Sequence, residues 1–124
     1  MDGQSDTKQP TSGEHSLWYP EALDRIGMLA LLIDRKKWYA AILECLVHSS
    51  LRLSELRKAL PNTSKKMLIE SLRSLEAEGL VTRTDLSGKM RHVRYELVNN
   101  SVAEISMALA LVRRIRQFKM GRSR

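Results

Sequence analysis

The chain has 124 residues, and its 21 basic and 14 acidic side chains give a formal charge of +7 at neutral pH. This length suits one domain with a modest core rather than two, and the charge favours an anionic partner, either nucleic acid or a membrane surface. No apolar run approaches the roughly 18 residues that span a bilayer, and the first residues do not resemble a signal peptide. A single cysteine excludes an intramolecular disulfide, so we expect a cytoplasmic protein.

The N-terminal region divides into a polar segment and a helix. Residues 1–16 contain no large apolar side chain after Met1, which predicts a disordered tail. Pro20 then marks the start of a helix predicted over residues 21–33. Residues 28–33 are apolar almost all round, so we expect this helix to be covered on more than one side, and a second subunit is the cover we favour.

A second helix is predicted over residues 38–48, where apolar side chains recur at helical spacing. Its predicted buried stripe consists of Trp38, Ala41, Ile42, Cys45 and Leu46. Cys45 is therefore expected to be a small core thiol rather than a redox or metal-binding group. The three histidines are scattered and show no spacing typical of metal ligands, so no metal or cofactor is predicted.

The stretch that follows has the pattern of a helix-turn-helix. Residues 53–60 predict a short amphipathic helix that ends at Pro61. Its inward side chains are Leu53, Leu56 and Leu60. Residues 64–78 predict a longer helix, with polar residues at its start and Gly79 as its stop. Its apolar stripe consists of Leu68, Leu72 and Leu75. Two such helices joined by a Pro-Asn-Thr turn predict a DNA-binding motif in which residues 64–78 are the recognition helix.

A β-hairpin is predicted after the recognition helix. Residues 80–84 have strand chemistry, residues 85–89 contain turn residues, and residues 91–97 alternate apolar and polar side chains. The apolar positions of the second strand share one face: Val93, Tyr95 and Leu97. Near the tip lie Lys89, Arg91 and His92. This is where a wing would contact the sugar-phosphate backbone of DNA.

The last predicted helix has two apolar stripes. Residues 99–101 (Asn-Asn-Ser) are suited to cap its start. The first stripe consists of Val102, Ile105, Leu109 and Val112, and the second of Ala108, Leu111, Ile115 and Phe118. One stripe can close the domain core, whereas the other needs a partner, which is a common origin of two-fold dimers.

Nine residues are predicted to contact double-stranded DNA: Arg52, Thr63, Ser64, Lys65, Lys66, Arg73, Lys89, Arg91 and His92. Residues 63–66 would lie at the positive end of the recognition helix, where phosphate binding is favoured. Arg73 would pair with guanine, a contact worth about 1 to 3 kcal/mol of discrimination, whereas the lysines would add salt-sensitive affinity. For each of these residues, a solvated surface side chain is the alternative interpretation.

Three segments of the chain follow the pattern of a known family: DRKKW (34–38), LRLSELRKALPNTSKKMLIESLRSLEAEGLVTR (51–83) and HVRYEL (92–97). They resemble the HxlR-type winged helix-turn-helix regulators, relatives of the MarR group. It implies a homodimeric transcription factor that inserts two recognition helices into successive major grooves of an inverted-repeat operator. The cysteine that is frequent in that family would fall near Arg25, so the resemblance does not extend to a thiol switch.

Together these patterns predict a mainly α fold with a small β-hairpin wing, dimerised through its N- and C-terminal helices. The predicted divisions are a tail at 1–16, a winged helix-turn-helix domain with flanking dimerisation helices at 17–118, and a basic tail at 119–124. The alternative function is a winged helix that binds a protein or RNA through the basic C-terminal tail. No nucleophile and base can be named, so no enzyme is predicted, and no motif specifies a small-molecule effector.

Overall fold

A computed structural model describes residues 20–86 and 92–122 of the chain. Within these ranges the chain forms five α-helices, a 3-10 turn and three short strands. The elements are α1 (Pro20–Arg35), α2 (Tyr39–His48), β1 (Leu51–Arg52), α3 (Leu53–Ala59), α4 (Lys65–Ala77), β2 (Val81–Leu86), β3 (His92–Leu97), the 3-10 turn (Asn99–Ser101) and α5 (Val102–Arg122). The predicted N-terminal tail and the tip of the predicted hairpin lie outside the described residues.

The two terminal helices, α1 and α5, pack along each other. From α1, every third or fourth side chain is buried: Ala22, Ile26, Ala30 and Ile33. Arg25 of α1 donates to Glu104 of α5, with 2.6 Å between Nη2 and Oε2, and this hydrogen bond raises the pKa of Arg25. At the other end, Asp34 accepts from Arg116 Nε at 3.0 Å and lies 3.7 Å from Lys119 Nζ. Such partly exposed pairs add little stability, but here they occur at both ends of the helix pair.

Helix α2 lies at the centre of the core because it contacts both α5 and β3. Its buried side chains are Tyr39, Ile42, Leu43 and Leu46. The predicted stripe was therefore only partly right, since Trp38, Ala41 and Cys45 are half-buried. A helix covered on two sides buries a wider arc than a single stripe, which brings Tyr39 and Leu43 inside.

Helices α3 and α4 form the helix-turn-helix. Leu56 of α3 is fully buried, and the N–H of Leu60 donates to the carbonyl of Leu56 at 2.9 Å to close that helix. The turn continues with the N–H of Thr63 donating to the carbonyl of Leu60 at 3.1 Å. Ser64 caps α4, because its Oγ accepts the N–H of Met67 at 3.1 Å. The predicted apolar stripe of α4 is confirmed, with Leu68, Leu72 and Leu75 each at most 1 % exposed.

The sheet has three antiparallel strands in the order β1-β3-β2. Strands β2 and β3 form the predicted hairpin, in register from Val81 opposite Leu97 to Leu86 opposite His92. Tyr95 and Leu97 are buried and Val93 packs against the core, so the predicted inward face of β3 is confirmed. The prediction did not include β1, whose two residues pair with Tyr95 and Arg94.

Helix α5 follows a 3-10 turn at residues 99–101, which takes the place of the expected side-chain cap. Its first stripe is inside, with Ile105, Leu109 and Val112 buried and Val102 packed against the core. The second stripe divides: Ala108 is buried, Ile115 is half-buried, and Leu111 and Phe118 are exposed. The helix continues to Arg122. No helix in the described ranges is long and apolar enough to cross a membrane.

Gly79 lies in the connection between α4 and β2. Its φ is +82°, a left-handed conformation that glycine adopts without strain. We expect Gly79→Ala to lower the free energy of unfolding by about 1 kcal/mol, measured by urea denaturation. A Cβ at Gly79 would meet no atom within 4 Å, so the loss would come from the backbone alone.

Gly27 provides the matched control, because it lies inside α1 and a Cβ there also meets no atom within 4 Å. Gly27→Ala should raise the free energy of unfolding by about 0.5 to 1 kcal/mol, since alanine is the better helix former. Equal effects of the two substitutions would contradict the proposed role of the left-handed conformation.

Candidate nucleic-acid interface

The outer side of α4 is polar and exposed. Lys65, Lys66, Glu70 and Arg73 are all on the surface, whereas the leucine stripe faces the core. Helical spacing places Lys66, Glu70 and Arg73 on one strip, directly opposite the buried leucines. These three residues therefore form the strip that a partner docking on this helix would contact first.

The N-terminal end of α4 is electropositive. Ser64 caps the helix, and its first turn contains no acidic residue. Among the described residues, Lys65 and Lys66 form no salt bridge, so both ammonium groups are available to an external anion. The helix dipole adds partial positive charge at the same end. Backbone N–H groups, dipole and lysines thus favour the same kind of ligand, an anion.

Thr63 was predicted to lie on this surface, but the structure buries its side chain. It precedes the helix and its side chain is only 7 % exposed. Its Oγ1 is buried and has no hydrogen-bond partner in the described part of the chain. Thr63 thus lies within the turn between α3 and α4, beneath the surface that carries Ser64 and the lysines.

Arg94 joins the hairpin to the segment between α2 and β1. This residue of β3 donates from Nε to Ser50 Oγ at 3.2 Å and from Nη2 to the Ser50 carbonyl at 3.0 Å. His92 is half-buried at the start of β3, whereas Lys89 and Arg91 lie outside the described residues. Arg83 of β2 is exposed on the same hairpin and was not among the predicted DNA contacts.

Arg52 lies where the sheet meets α3. It is exposed, its backbone pairs with Arg94 in the sheet, and it precedes the first residue of α3. Its N–H donates to Glu55 Oε1 at 2.7 Å, and this bond lowers the pKa of Glu55. The structure therefore places Arg52 at the junction of the sheet and α3.

The basic residues of α5 differ from those of α4 because most have acidic partners. Arg113 forms a salt bridge with Glu44 of α2, and Arg116 and Lys119 both pair with Asp34. These charges hold α5 against α1 and α2. In the described part of the chain, the lysines of α4 thus have no acidic partner, whereas three basic residues of α5 do.

A comparison with known protein families shows where this chain belongs. The profile of the HxlR-like helix-turn-helix family matches residues 32–119, from the second half of α1 to near the end of α5. The chain belongs to the HxlR-like helix-turn-helix family. The resemblance stated from the sequence is thereby confirmed, and the family match extends it into α5.

Several relatives of this HxlR-like chain are named HTH-type transcriptional regulators. YtcD of Bacillus subtilis (strain 168) is 43% identical over 61 residues, which cover 49% of this chain and 48% of YtcD. YvaP of the same organism is 38% identical over 74 residues, which cover 60% of this chain and 68% of YvaP. The match to YtcD therefore spans about half the length of that relative.

Solved structures share the fold of the HxlR-like chain. The crystal structure of ytcD superposes with a TM-score of 0.63 and 29% identity, covering 77% of this chain and 94% of that one. The diamide-treated form of YodB from B. subtilis gives a TM-score of 0.62 at 25% identity, covering 82% and 96%. The predicted winged helix-turn-helix fold is confirmed.

Cys45 is the free thiol of this family member, and it is half-buried on α2. Burial raises its pKa, and the neighbouring carboxylate of Glu44 raises it further. No group of histidine, cysteine and acidic side chains in the described ranges could hold a metal ion. Because the thiolate is the reactive form, a raised pKa makes Cys45 a poor nucleophile near neutral pH.

We therefore expect Cys45 to react more slowly with a disulfide reagent at pH 8 in the folded protein than in the urea-unfolded chain. Since the folded-state pKa is raised, less thiolate is present at pH 8 and the difference should shrink as the pH increases. Absorbance of the released thiol measures both rates. A folded chain that reacts faster than the unfolded one would contradict an inert thiol.

Proposed function

We propose that the chain is a sequence-specific transcriptional regulator that binds double-stranded DNA as a homodimer on an inverted-repeat operator. The observation that carries the proposal is the exposed outer side of α4, which joins two unpaired lysines to a capped, electropositive helix end. The family match and the names of the relatives support the same function.

The dimensions of α4 suit the major groove. With 13 residues the helix is about 20 Å long, and the groove of B-DNA, about 12 Å wide, admits one helix. In that position Lys65 and Lys66 would approach phosphates near the helix start, while Arg73 would lie about two turns further in. Arg73 is therefore the residue that we assign to a base edge, and guanine is its preferred partner.

The remaining candidates have supporting roles in the proposal. Ser64 is occupied as the cap of α4, so it presents the helix end rather than reading sequence. Arg52 and the hairpin residues Lys89, Arg91 and His92 remain proposed backbone contacts. Thr63 is excluded from the proposed contacts because its side chain is buried.

Removal of the two lysines tests the docking element. Lys65→Ala combined with Lys66→Ala should weaken binding to every duplex and reduce the slope of log K against log salt by about 0.9 for each lost phosphate contact. Fluorescence anisotropy at several salt concentrations measures both quantities. An unchanged affinity at all salt concentrations would show that α4 does not dock through these residues.

Arg73→Ala is the companion variant, because it removes one positive charge from the same helix at the proposed base-reading position. Its expected effect is a loss of about 1 to 3 kcal/mol of discrimination between the preferred site and a site altered at one guanine. A uniform loss for all sequences would instead assign Arg73 to a phosphate.

Dimerisation is proposed because the terminal helices expose large apolar side chains. On α1, Met28 is 68% and Leu31 65% exposed, and on α5, Met107 is 48% and Leu111 41% exposed. Burying such surface contributes about 25 cal/mol per Å², and helices rich in exposed apolar residues are typical of subunit interfaces. A second copy of the chain is the cover proposed here, through α1 and α5 of both subunits.

Substitution within this surface should separate the subunits. Leu31→Glu together with Leu111→Glu should raise the dimer dissociation constant more than about tenfold, because carboxylates would lose solvation in an apolar interface. Sedimentation equilibrium measures the change. Ala59→Glu, at an exposed position at the end of α3, is the control that should leave the dissociation constant unaltered, and an equal effect of both variants would refute this interface.

The competing function, RNA or protein binding through the basic C-terminal end, has less support. Arg113, Arg116 and Lys119 are engaged by acidic residues of α1 and α2. An external partner would have to displace these contacts. Competition of labelled duplex DNA by structured RNA and by single-stranded DNA separates the two functions, because the proposed regulator should retain the duplex.

A further inference from the structure

The loop between α1 and α2 places two lysines beside the recognition helix. Lys36 and Lys37 are exposed and line a cleft of about 210 Å³, together with the following Trp38 and Tyr39. The other side of this cleft is a flank of α4, formed by Met67, Glu70, Ser71 and Ser74. Two basic side chains distant from α4 in sequence therefore lie next to the helix that we propose enters DNA.

The position of Lys37 is restricted by an aromatic neighbour. Its Nζ lies 5.0 Å from the centre of the Trp38 ring, a distance typical of a cation–π contact. Trp38 is half-buried and packs against the hydrophobic core. The ammonium group is thus held above a fixed ring, which lowers the entropy lost when it binds an anion.

Neither lysine is neutralised by a carboxylate. In residues 20–86 and 92–122, no salt bridge involves Lys36 or Lys37. Asp34, the nearest acidic residue in the chain, already pairs with Arg116 and Lys119 of α5. Glu70 borders the cleft but forms no salt bridge with either lysine. The loop therefore presents a net positive surface at the flank of α4.

A helix in the major groove has a sugar-phosphate backbone along each flank. The groove is about 12 Å wide, and a helix with its side chains is about 10 to 12 Å across. Groups that stand beside the flank of such a helix are consequently close to phosphates, not to base edges. The flank of α4 that carries Met67 and Ser74 is the one that Lys36 and Lys37 adjoin.

We propose that Lys36 and Lys37 bind phosphates of the DNA strand that borders this flank of α4. This inference rests on the proposed function, since it requires α4 to occupy the major groove. The loop and the N-terminal end of α4 then contact the backbone at separate points, and the two contacts together fix the rotation of α4 about its own axis. That rotation decides whether Arg73 is directed at a base edge.

The test uses the full chain with Lys36→Ala and Lys37→Ala combined. We expect weaker binding to operator and unrelated duplexes by a similar factor, with the salt slope reduced by about 1.8 for two phosphates. The charge-conserving pair Lys36→Arg and Lys37→Arg should retain affinity and slope. Arg114→Ala, an exposed basic residue of α5, is the control for the general field of the protein and should have a smaller effect per charge.

Phosphate ethylation interference locates the contacts. The wild type should show interfering phosphates in each half-site that disappear in the Lys36→Ala, Lys37→Ala variant, while those lost in the Lys65→Ala, Lys66→Ala variant differ from them. A wild type that binds no duplex would refute the proposed function itself. A wild type that binds while the loop variant keeps the same slope and footprint would refute only this inference, as would a change confined to base preference.

Discussion

The burial of three leucines on one side of α4 is the constraint on which the rest of the structure depends. Leu68, Leu72 and Leu75 are fixed in the core, so the opposite side of the helix must face solvent. The Ser64 cap and Gly79 determine where the helix begins and ends. The exposed outer side of α4, with Lys65 and Lys66 at its start, follows directly from this packing. The proposed DNA interface is therefore a consequence of how the core is built.

The basic side chains of this protein fall into two groups, those paired with carboxylates and those without an acidic partner in the described residues. On α5, basic side chains meet carboxylates of α1 and α2 and help align the terminal helices. On α4 and in the loop before α2, lysines have no such partners in the described residues and remain available. The formal charge of +7 is therefore a weak guide to function until its partners are known. What distinguishes the proposed DNA surface is the lack of internal neutralisation.

Much of this fold could be predicted because its elements have strong periodicity. The leucine stripe of α4, the alternation of Val93, Tyr95 and Leu97, and the first stripe of α5 each specify one buried face, and the structure has all three. The prediction of the buried face of α2 was partly wrong because α5 and β3 both cover that helix. A single apolar stripe in the sequence does not show that a helix is covered on two sides. Strand β1 was missed because two residues carry no alternation and owe their conformation to pairing with β3.

The candidate site was less predictable than the fold. Ser64, Lys65 and Lys66 could be placed from the start signal of α4. Thr63 could not, since only the path of the turn shows that its side chain is buried. Lys36 and Lys37 could not be predicted as part of the site, because only the folded chain brings this loop next to Met67 and Ser74 of α4. Local patterns thus predicted α4, the proposed recognition helix, whereas tertiary contacts show which residues surround it.

In the proposed complex, two copies of α4 enter one DNA duplex together. Selection of bound duplexes from a random library, followed by sequencing, tests it most directly. The account predicts enrichment of an inverted repeat whose half-site centres are about one helical turn, 10 to 10.5 base pairs, or a multiple of it apart. Enrichment of a single asymmetric site, or no enrichment from a protein that remains folded, would contradict it.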